Sequence, residues 1–181
     1  MKKIFSIVAS LLIVLTASAA NYEKAVGVEV GGINGISYKQ FFTDNLALQC
    51  DLTVGLLETQ GSWSKRKGVG KVKGFDFKIN PNVVYQMSIG AGFDFYAGGG
   101  IGFGLYHSDF KRMDKSQNYG KFGINAIAGV EYVLNSAPIV LGLNFRPGYG
   151  VAFTGNKMLK ENYGAINYFD WGLGFSVRYI L

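Results

Sequence analysis

The amino-acid sequence predicts an all-β protein, an eight-stranded antiparallel up-and-down transmembrane β-barrel preceded by a cleaved signal peptide. Three observations predict this fold. Apolar residues alternate with polar or small ones in eight segments, the connections alternate between tight turns and long loops, and the charges within the segments share one face. An even number of strands with apolar outward and polar inward faces is typical of a barrel that crosses a membrane.

Residues 1–20 have the composition of a signal peptide. Lys2 and Lys3 precede an uncharged apolar run that ends at Thr16, and small residues then supply a cleavage site. We therefore expect export, with residues 21–181 as a single outer-membrane barrel domain. No later uncharged run is long enough to predict a transmembrane helix.

The composition favours many short strands over disorder, because 26 Gly, 14 Phe and 11 Tyr accompany only 3 Pro. The single cysteine, Cys50, excludes an intrachain disulfide. It follows Leu46 and Leu48 on an apolar strand face, so we interpret it as a small lipid-facing hydrophobic residue. With one cysteine and one histidine, the sequence predicts no metal site and no cofactor.

The first three strands have the clearest alternation. In strand one, valines occupy one face and Glu29 lies on the other. Strand two places Lys39 and Phe41 on its inward face. Strand three alternates apolar with polar or small residues from Leu46 to Leu56. The three predicted strands are 25–31, 36–42 and 46–56.

The remaining five strands have aromatic and aliphatic residues on one face and Gly, Asn or charged residues on the other. The last of them alternates from Phe169 to Leu181. The five predicted strands are 75–87, 93–105, 121–132, 141–149 and 166–181. Tight turns are predicted at 43–45, 89–90 and 135–138, and long loops at 58–72, 107–119 and 150–164. Short turns at one end and long loops at the other are expected of such a barrel.

The charged residues within the strands fall on the inward face. A cation on the lipid face costs roughly 2 to 4 kcal/mol at the bilayer midplane, so chance does not explain this sorting. We therefore predict a charge network in the lumen. Its members are Glu29, Lys39, Asp51, Asp76, Lys78, Asp94, Lys121, Glu131, Arg146, Asp170 and Arg178.

The outward aromatic residues gather at two heights, as interfacial girdles on the two sides of a membrane would. Those near the tight turns are Phe42, Tyr85, Phe93, Tyr132 and Tyr179. Those near the loops are Phe75, Phe103, Phe122, Tyr149 and Trp171.

The lumen is expected to be plugged. Eight strands leave an interior that side chains fill, and the six acids and five bases of the network nearly neutralise each other. We expect neighbouring strands to provide the pairs, with Lys39 near Asp51 and Arg146 near Asp170. The glycines of strand five should make room for these long side chains. The expected register places Gly98, Gly100 and Gly102 opposite Asn80, Lys78 and Asp76.

The chain from residue 21 onward resembles small outer-membrane barrels of the outer membrane protein A and X type. The segment GGINGISYKQFFTDNLAL in particular resembles such barrels from Bacteroidetes-like bacteria. The last strand resembles the C-terminal assembly signal of bacterial outer-membrane barrels, with Tyr179 two residues before the final Leu181. The resemblance implies a location in the outer membrane of a Gram-negative bacterium and assembly by the barrel assembly machinery.

The single histidine, His107, invites comparison with barrels that remove or add acyl chains on lipid A. Those enzymes need an activated serine. His107, Ser108 and Asp109 are consecutive residues that point in alternating directions, so they do not form a relay. We therefore predict no catalytic residue and interpret His107 as a solvated loop residue.

Five basic residues lie in the first long loop. On the surface of such a protein, lipopolysaccharide phosphates are a nearer polyanion than nucleic acid, and a plain solvated loop remains the simplest alternative. The five are Lys65, Arg66, Lys67, Lys71 and Lys73.

Together these patterns predict a monomeric, non-enzymatic barrel with a structural or surface-interaction role, in contact with outer-membrane lipids and lipopolysaccharide. The alternatives are a small porin and a lipid A-modifying enzyme.

Overall fold

The computed structural model describes residues 22–56, 63–64, 74–110, 115–153 and 166–181. Nine β-strands form within these ranges. They are β1 (Lys24–Gly31), β2 (Asn34–Phe41), β3 (Leu46–Leu56), β4 (Trp63–Ser64), β5 (Gly74–Gly90), β6 (Phe93–Phe110), β7 (Lys115–Val133), β8 (Ile139–Phe153) and β9 (Ile166–Ile180). In these ranges, no helix has the length and apolar character needed to cross a membrane.

Eight of these strands form a closed ring. Strands β1, β2, β3, β5, β6, β7, β8 and β9 pair antiparallel in chain order, and β9 also pairs with β1. The two-residue β4 adds to the free edge of β9 beyond the end of β1, where Trp63 pairs with Phe169. The predicted all-β, eight-stranded up-and-down barrel is therefore confirmed.

The ring closes with a shear of ten residues, which is the displacement along β9 after one full circuit of the barrel. Partners followed around the ring from Val28 lead to Asn167 on β9, whereas Val28 itself pairs with Val177 across the closing seam. The intermediate partners are Ile36, Leu52, Ile79, Phe103, Phe122 and Val151. For eight strands this shift corresponds to a tilt of about 40°, within the range for such barrels, and to a lumen that side chains fill.

The outer face of the ring is apolar, and the predicted girdle residues lie on it. Phe93 and Tyr132 pack with ring centroids 4.7 Å apart near the tight turns. Phe103 and Phe122 pack at 5.3 Å nearer the loops. Cys50 also lies on this face, half-buried. Exposed apolar side chains outside and polar ones inside are the arrangement of a membrane-spanning barrel.

The expected loop from His107 to Tyr119 is wrong. Strands β6 and β7 continue as a hairpin to Phe110 and Lys115, and His107 pairs with Asn118. The loop after strand seven likewise begins later than expected, because β8 extends to residue 153. The extended ends of β6 and β7 carry polar residues on both faces, so they lack the apolar alternation on which the expectation depended.

The expected register of the glycine-rich strand is also wrong, by four residues. Gly98 pairs with Val84 and not with Asn80. The turn lies at Ala91 and Gly92, where φ is 54° and 81°. Because the turn lies two residues later than expected, each glycine of β6 pairs with a β5 residue four positions later than expected.

Candidate functional site

The lumen holds the charged residues of the predicted network. Ten of them are buried and Lys78 is half-buried. Ten of the eleven form three layers between the tight-turn end and the loop end, and Asp94 accepts a hydrogen bond from Gln86 at 3.0 Å. The described members are Glu29, Lys39, Asp51, Asp76, Lys78, Asp94, Lys121, Glu131, Arg146, Asp170 and Arg178.

The layer nearest the tight turns is centred on Glu131. Lys39 Nζ lies 3.0 Å from Glu131 Oε1, and Arg178 Nη1 lies 2.6 Å from the same oxygen. The side chains of all three are fully buried. Lys39 also donates to Gln86. One carboxylate therefore joins β2, β7 and β9 across the width of the barrel.

Tyr22 completes this layer from outside the strands. Its hydroxyl donates to Glu131 Oε2 at 2.8 Å, and its ring packs edge-on against Phe41 at 5.2 Å. Burial raises the pKa of the Tyr22 phenol well above its ordinary value, so the hydroxyl keeps the proton that it donates. Sequence reasoning missed Tyr22, because it precedes the first strand and belongs to no alternating segment.

Apolar and aromatic side chains surround the Glu131 layer. Lys39 Nζ lies 4.1 Å from the Tyr96 ring centroid and 5.4 Å from that of Phe41. These rings belong to a buried cluster at this end of the lumen. The cluster consists of Tyr22, Ala25, Phe41, Ala47, Val84, Tyr96, Ile127 and Val140.

The middle layer is centred on Arg146. Its Nη2 lies 2.8 Å from Asp51 Oδ2 and 3.4 Å from Glu29 Oε2. Asn144 donates to the other oxygen of Glu29 at 2.8 Å, and Gln49 donates to Asp51. Each acid in this layer therefore has a neutral partner in addition to the guanidinium.

The layer nearest the loops contains two lysines and two aspartates. Lys121 Nζ lies 2.7 Å from Asp76 Oδ2, and Lys78 contacts both Asp76 and Asp170. The ring of Tyr168 lies 4.5 Å from Lys121 Nζ. The side chains of Lys78 and Asp170 are each 12% exposed, so solvent reaches this layer.

The two pairs expected between neighbouring strands are wrong. Lys39 pairs with Glu131 instead of Asp51, and Arg146 pairs with Asp51 and Glu29 instead of Asp170. The expectation considered adjacent strands alone. In a closed ring the long side chains reach across the lumen to strands that are distant in sequence.

Glycines on β6 face these long side chains. A Cβ on Gly102 would lie 2.9 Å from Asn80 Oδ1, and one on Gly104 would lie 2.9 Å from Lys78 Cγ. Both approaches are closer than side chains tolerate. These glycines leave space for polar side chains from β5, although the register differs from the expected one.

His107 lies at the other side of the wall, exposed near the loop end of β6. Its Nδ1 lies 2.6 Å from the amide oxygen of Asn118. The side chains of Ser108 and Asp109 lie outside the described part of the chain. Among the described residues, no three His, Cys, Asp or Glu side chains are grouped as a metal ion would require. The basic residues at 65–67, 71 and 73 also lie outside the described ranges.

The fold has counterparts among solved structures. The crystal structure of Neisserial surface protein A (NspA) matches with a TM-score of 0.59 and 13% identity, over 87% of this chain and 93% of that one. The N-terminal β-barrel domain of Pseudomonas aeruginosa OprF matches with a TM-score of 0.52 and 14% identity, over 86% and 95%. No protein-family model matches the chain, and no curated protein matches it significantly in sequence. At these identities the likeness establishes a shared barrel fold.

Proposed function

We propose that the protein is a monomeric integral barrel of a Gram-negative outer membrane, with a structural or surface-interaction role and a lumen closed to ions. The membrane location is supported by the apolar outer face and by two solved barrels of the same fold, a Neisserial surface protein and a domain of OprF. The closed lumen is supported by the layers of side chains inside.

The single observation that carries the closed lumen is the Glu131 layer. Lys39, Glu131 and Arg178 are fully buried, and the aromatic rings of Tyr22 and Tyr96 are packed around them. An ion that crosses this level would have to separate buried pairs in a region of low dielectric, which is costly. The acids and bases of the lumen also nearly balance, whereas selective pores present rings of one sign.

Planar-bilayer recording of the refolded wild type tests this proposal. We expect no steady conductance, because the Glu131 layer blocks the lumen. A large, stable, ion-selective conductance would instead identify the protein as a small porin. An unboiled sample with a gel mobility different from that of a boiled one shows that the protein under test is folded.

A non-enzymatic role is supported by the surroundings of His107. A histidine that activates a serine needs a second partner that orients it and stabilises its charge. The partner of Nδ1 is the amide oxygen of Asn118, on the outer face of β7. This hydrogen bond joins two paired strands, and an amide adds no negative charge to stabilise an imidazolium.

We further propose that the basic loop meets lipopolysaccharide phosphates. β3 ends and β5 begins at the end of the barrel opposite the tight turns, where surface phosphates would lie. Binding of refolded protein to lipopolysaccharide should weaken as salt rises, since exposed charge interactions are screened within about 8 Å at 0.15 M. If a variant with all five basic residues changed to Ser or Gln bound lipopolysaccharide as tightly as the wild type, the proposal would be refuted. The loop would then be a plain solvated surface.

Assembly by the barrel assembly machinery through the last strand is part of the same proposal. Tyr179 and Leu181 are exposed on the outer face, where a partner can contact them. Tyr179→Ala should lower the folded fraction in the outer membrane of a host. An equal folded fraction in this variant and in Val28→Ala, a matched lipid-facing change on β1, would contradict the role of the last strand.

A further inference from the structure

The chain enters β1 at the tight-turn end of the lumen, where backbone hydrogen bonds hold it on two sides. Glu23 O accepts from Phe41 N at 2.9 Å, and Lys24 O accepts from Leu181 N at 3.0 Å. The side chains of Glu23 and Lys24 are 75% and 41% exposed, whereas Tyr22 is 7% exposed. Of residues 22–24, Tyr22 alone therefore turns its side chain into the lumen.

The ring of Tyr22 lies in an apolar site that the strands provide. It packs edge-on against Phe41 of β2, with ring centroids 5.2 Å apart and planes at 89°. This edge-to-face contact is a preferred arrangement of two aromatic rings. Ala25, Ala47 and Val140 are fully buried in the same cluster and come from β1, β3 and β8. Side chains from four strands therefore form one cluster with the ring.

The polar end of this site is the carboxylate of Glu131. Arg178 donates to Oε1 at 2.6 Å, Lys39 donates to both oxygens at 3.0 Å, and the Tyr22 hydroxyl donates to Oε2 at 2.8 Å. An ionised carboxylate accepts hydrogen bonds and donates none. A group that adds a hydrogen bond to Oε2 must be a donor, which favours a phenol over a plain aromatic ring or an ether.

The charges at this end also favour a neutral occupant. Two cations, Lys39 and Arg178, meet one carboxylate at Glu131. A second carboxylate, Asp94, joins them through Gln86, which accepts from Lys39 and donates to Asp94. Two charges of each sign balance, so an added ion of either sign would be buried without a partner, which is costly. An aromatic ring with one hydroxyl fits both the apolar walls and the acceptor.

We propose that the tight-turn end of the lumen is a binding site for a para-substituted phenol, and that the protein's own Tyr22 is its occupant. We call it the phenol site, and it consists of Phe41, Glu131 and the buried cluster around Tyr22. The site belongs to the ring of strands, whereas its occupant precedes the ring. Tyr22 is therefore a stopper that a free phenol can replace. The proposal rests on the closed lumen and identifies what fills it at this end.

Tyr22→Ala empties the phenol site, and 4-methylphenol, which has the ring and hydroxyl of tyrosine, is the probe. The refolded protein is titrated with urea in micelles. We expect Tyr22→Ala to lower the unfolding midpoint. Added 4-methylphenol should raise it again, increasingly with concentration, because a ligand that binds only the folded state stabilises that state. Toluene at the same concentration should raise it less, because it lacks the hydroxyl. Equal shifts with the two compounds, or no shift with 4-methylphenol, would overturn the proposal.

Proteins that keep the site filled are the controls for effects of the probe on the micelle. Wild type and Tyr22→Phe retain a ring in the site, so 4-methylphenol should leave their midpoints unchanged. Tyr85→Ala removes an exposed tyrosine near the same end and leaves Tyr22 in place, so its midpoint should not respond either. A response of Tyr85→Ala as large as that of Tyr22→Ala would refute specific binding.

Nuclear magnetic resonance of Tyr22→Ala locates the bound probe. We expect nuclear Overhauser contacts between 4-methylphenol and the ring of Phe41, whereas the exposed ring of Phe93 reports probe dissolved in the micelle. If Tyr22→Ala refolds poorly, 4-methylphenol should raise the refolded fraction. Contacts with Phe93 alone, or no gain in the refolded fraction, would contradict the phenol site. None of these readouts depends on wild-type conductance, so failure of the phenol site and failure of the closed lumen are distinguishable.

Discussion

The tight-turn end and the loop end of the lumen contain the same kinds of ion pair in different surroundings. At the tight-turn end, Lys39 and Glu131 have no exposed side-chain surface and lie among aromatic rings. At the loop end, Lys78 and Asp170 each expose 12% of the side chain and line a polar cavity. The difference predicts that the lumen is closed at the tight-turn end, where the ion pair lies among aromatic side chains, and not at the loop end.

Glu131→Ala tests the buried end and should have the largest effect. It leaves Lys39 and Arg178 without their shared carboxylate, and stranded buried charges typically cost about 3 to 5 kcal/mol. We expect a loss of that size in the free energy of unfolding, measured by urea titration in micelles with tryptophan fluorescence. Glu131→Gln is the matched control, because it keeps the volume and removes only the charge. A change comparable to that of an exposed pair, about 1 kcal/mol or less, would contradict full burial.

Arg146→Ala lies between the two ends and should have an intermediate effect. Glu29 keeps the hydrogen bond from Asn144, and Asp51 keeps those from Gln49. We therefore expect a loss of about 2 to 3 kcal/mol in the same titration, smaller than that of Glu131→Ala. A larger loss in Arg146→Ala would place the main closure at the middle layer.

The faces of the strands could be predicted from the sequence, but the partners inside could not. Alternation assigns Lys39 and Glu131 to the lumen, because a period of two is a local property of a strand. Which charges meet depends on the ten-residue shift at which the ring closes. That shift is set by every strand pairing together, so no single segment contains it.

Two other features could not be predicted from local sequence patterns either. Tyr22 precedes β1 and enters the lumen only because Phe41 and Glu131 form a place for it. The β6–β7 hairpin continues past Leu105 with polar residues on both faces, where no membrane imposes alternation. Apolar alternation, which the membrane imposes, predicts the membrane-spanning part of a barrel but not the parts that lie outside the membrane.

Asp170→Asn tests the exposed end and should have a small effect. Lys78 keeps Asp76 as a partner, and water replaces the lost carboxylate charge. The expected loss is about 1 kcal/mol or less in the urea titration. If Asp170→Asn lowered the free energy of unfolding as much as Glu131→Ala, the ion pairs at the two ends would contribute equally to stability and this prediction would be contradicted.

His107→Ala lies outside the lumen and should have the smallest effect. An exposed side chain on the outer face contributes little, so the free energy of unfolding should change by about 0.5 kcal/mol or less. The mass spectrum of host lipid A should be the same with this variant, with Ser108→Ala, with wild type and without the protein. An acyl change that depends on His107 would identify the enzyme alternative.

The planar-bilayer conductance of two double variants tests most directly whether the lumen is closed at the tight-turn end. One changes Lys39 and Glu131 to alanine and leaves Arg178 without its carboxylate. The other changes Lys78 and Asp170 to alanine and leaves Asp76 paired with Lys121. We predict steady conductance from folded Lys39→Ala, Glu131→Ala protein and none from Lys78→Ala, Asp170→Ala protein. Conductance from the second variant alone, or from both equally, would contradict closure at the tight-turn end.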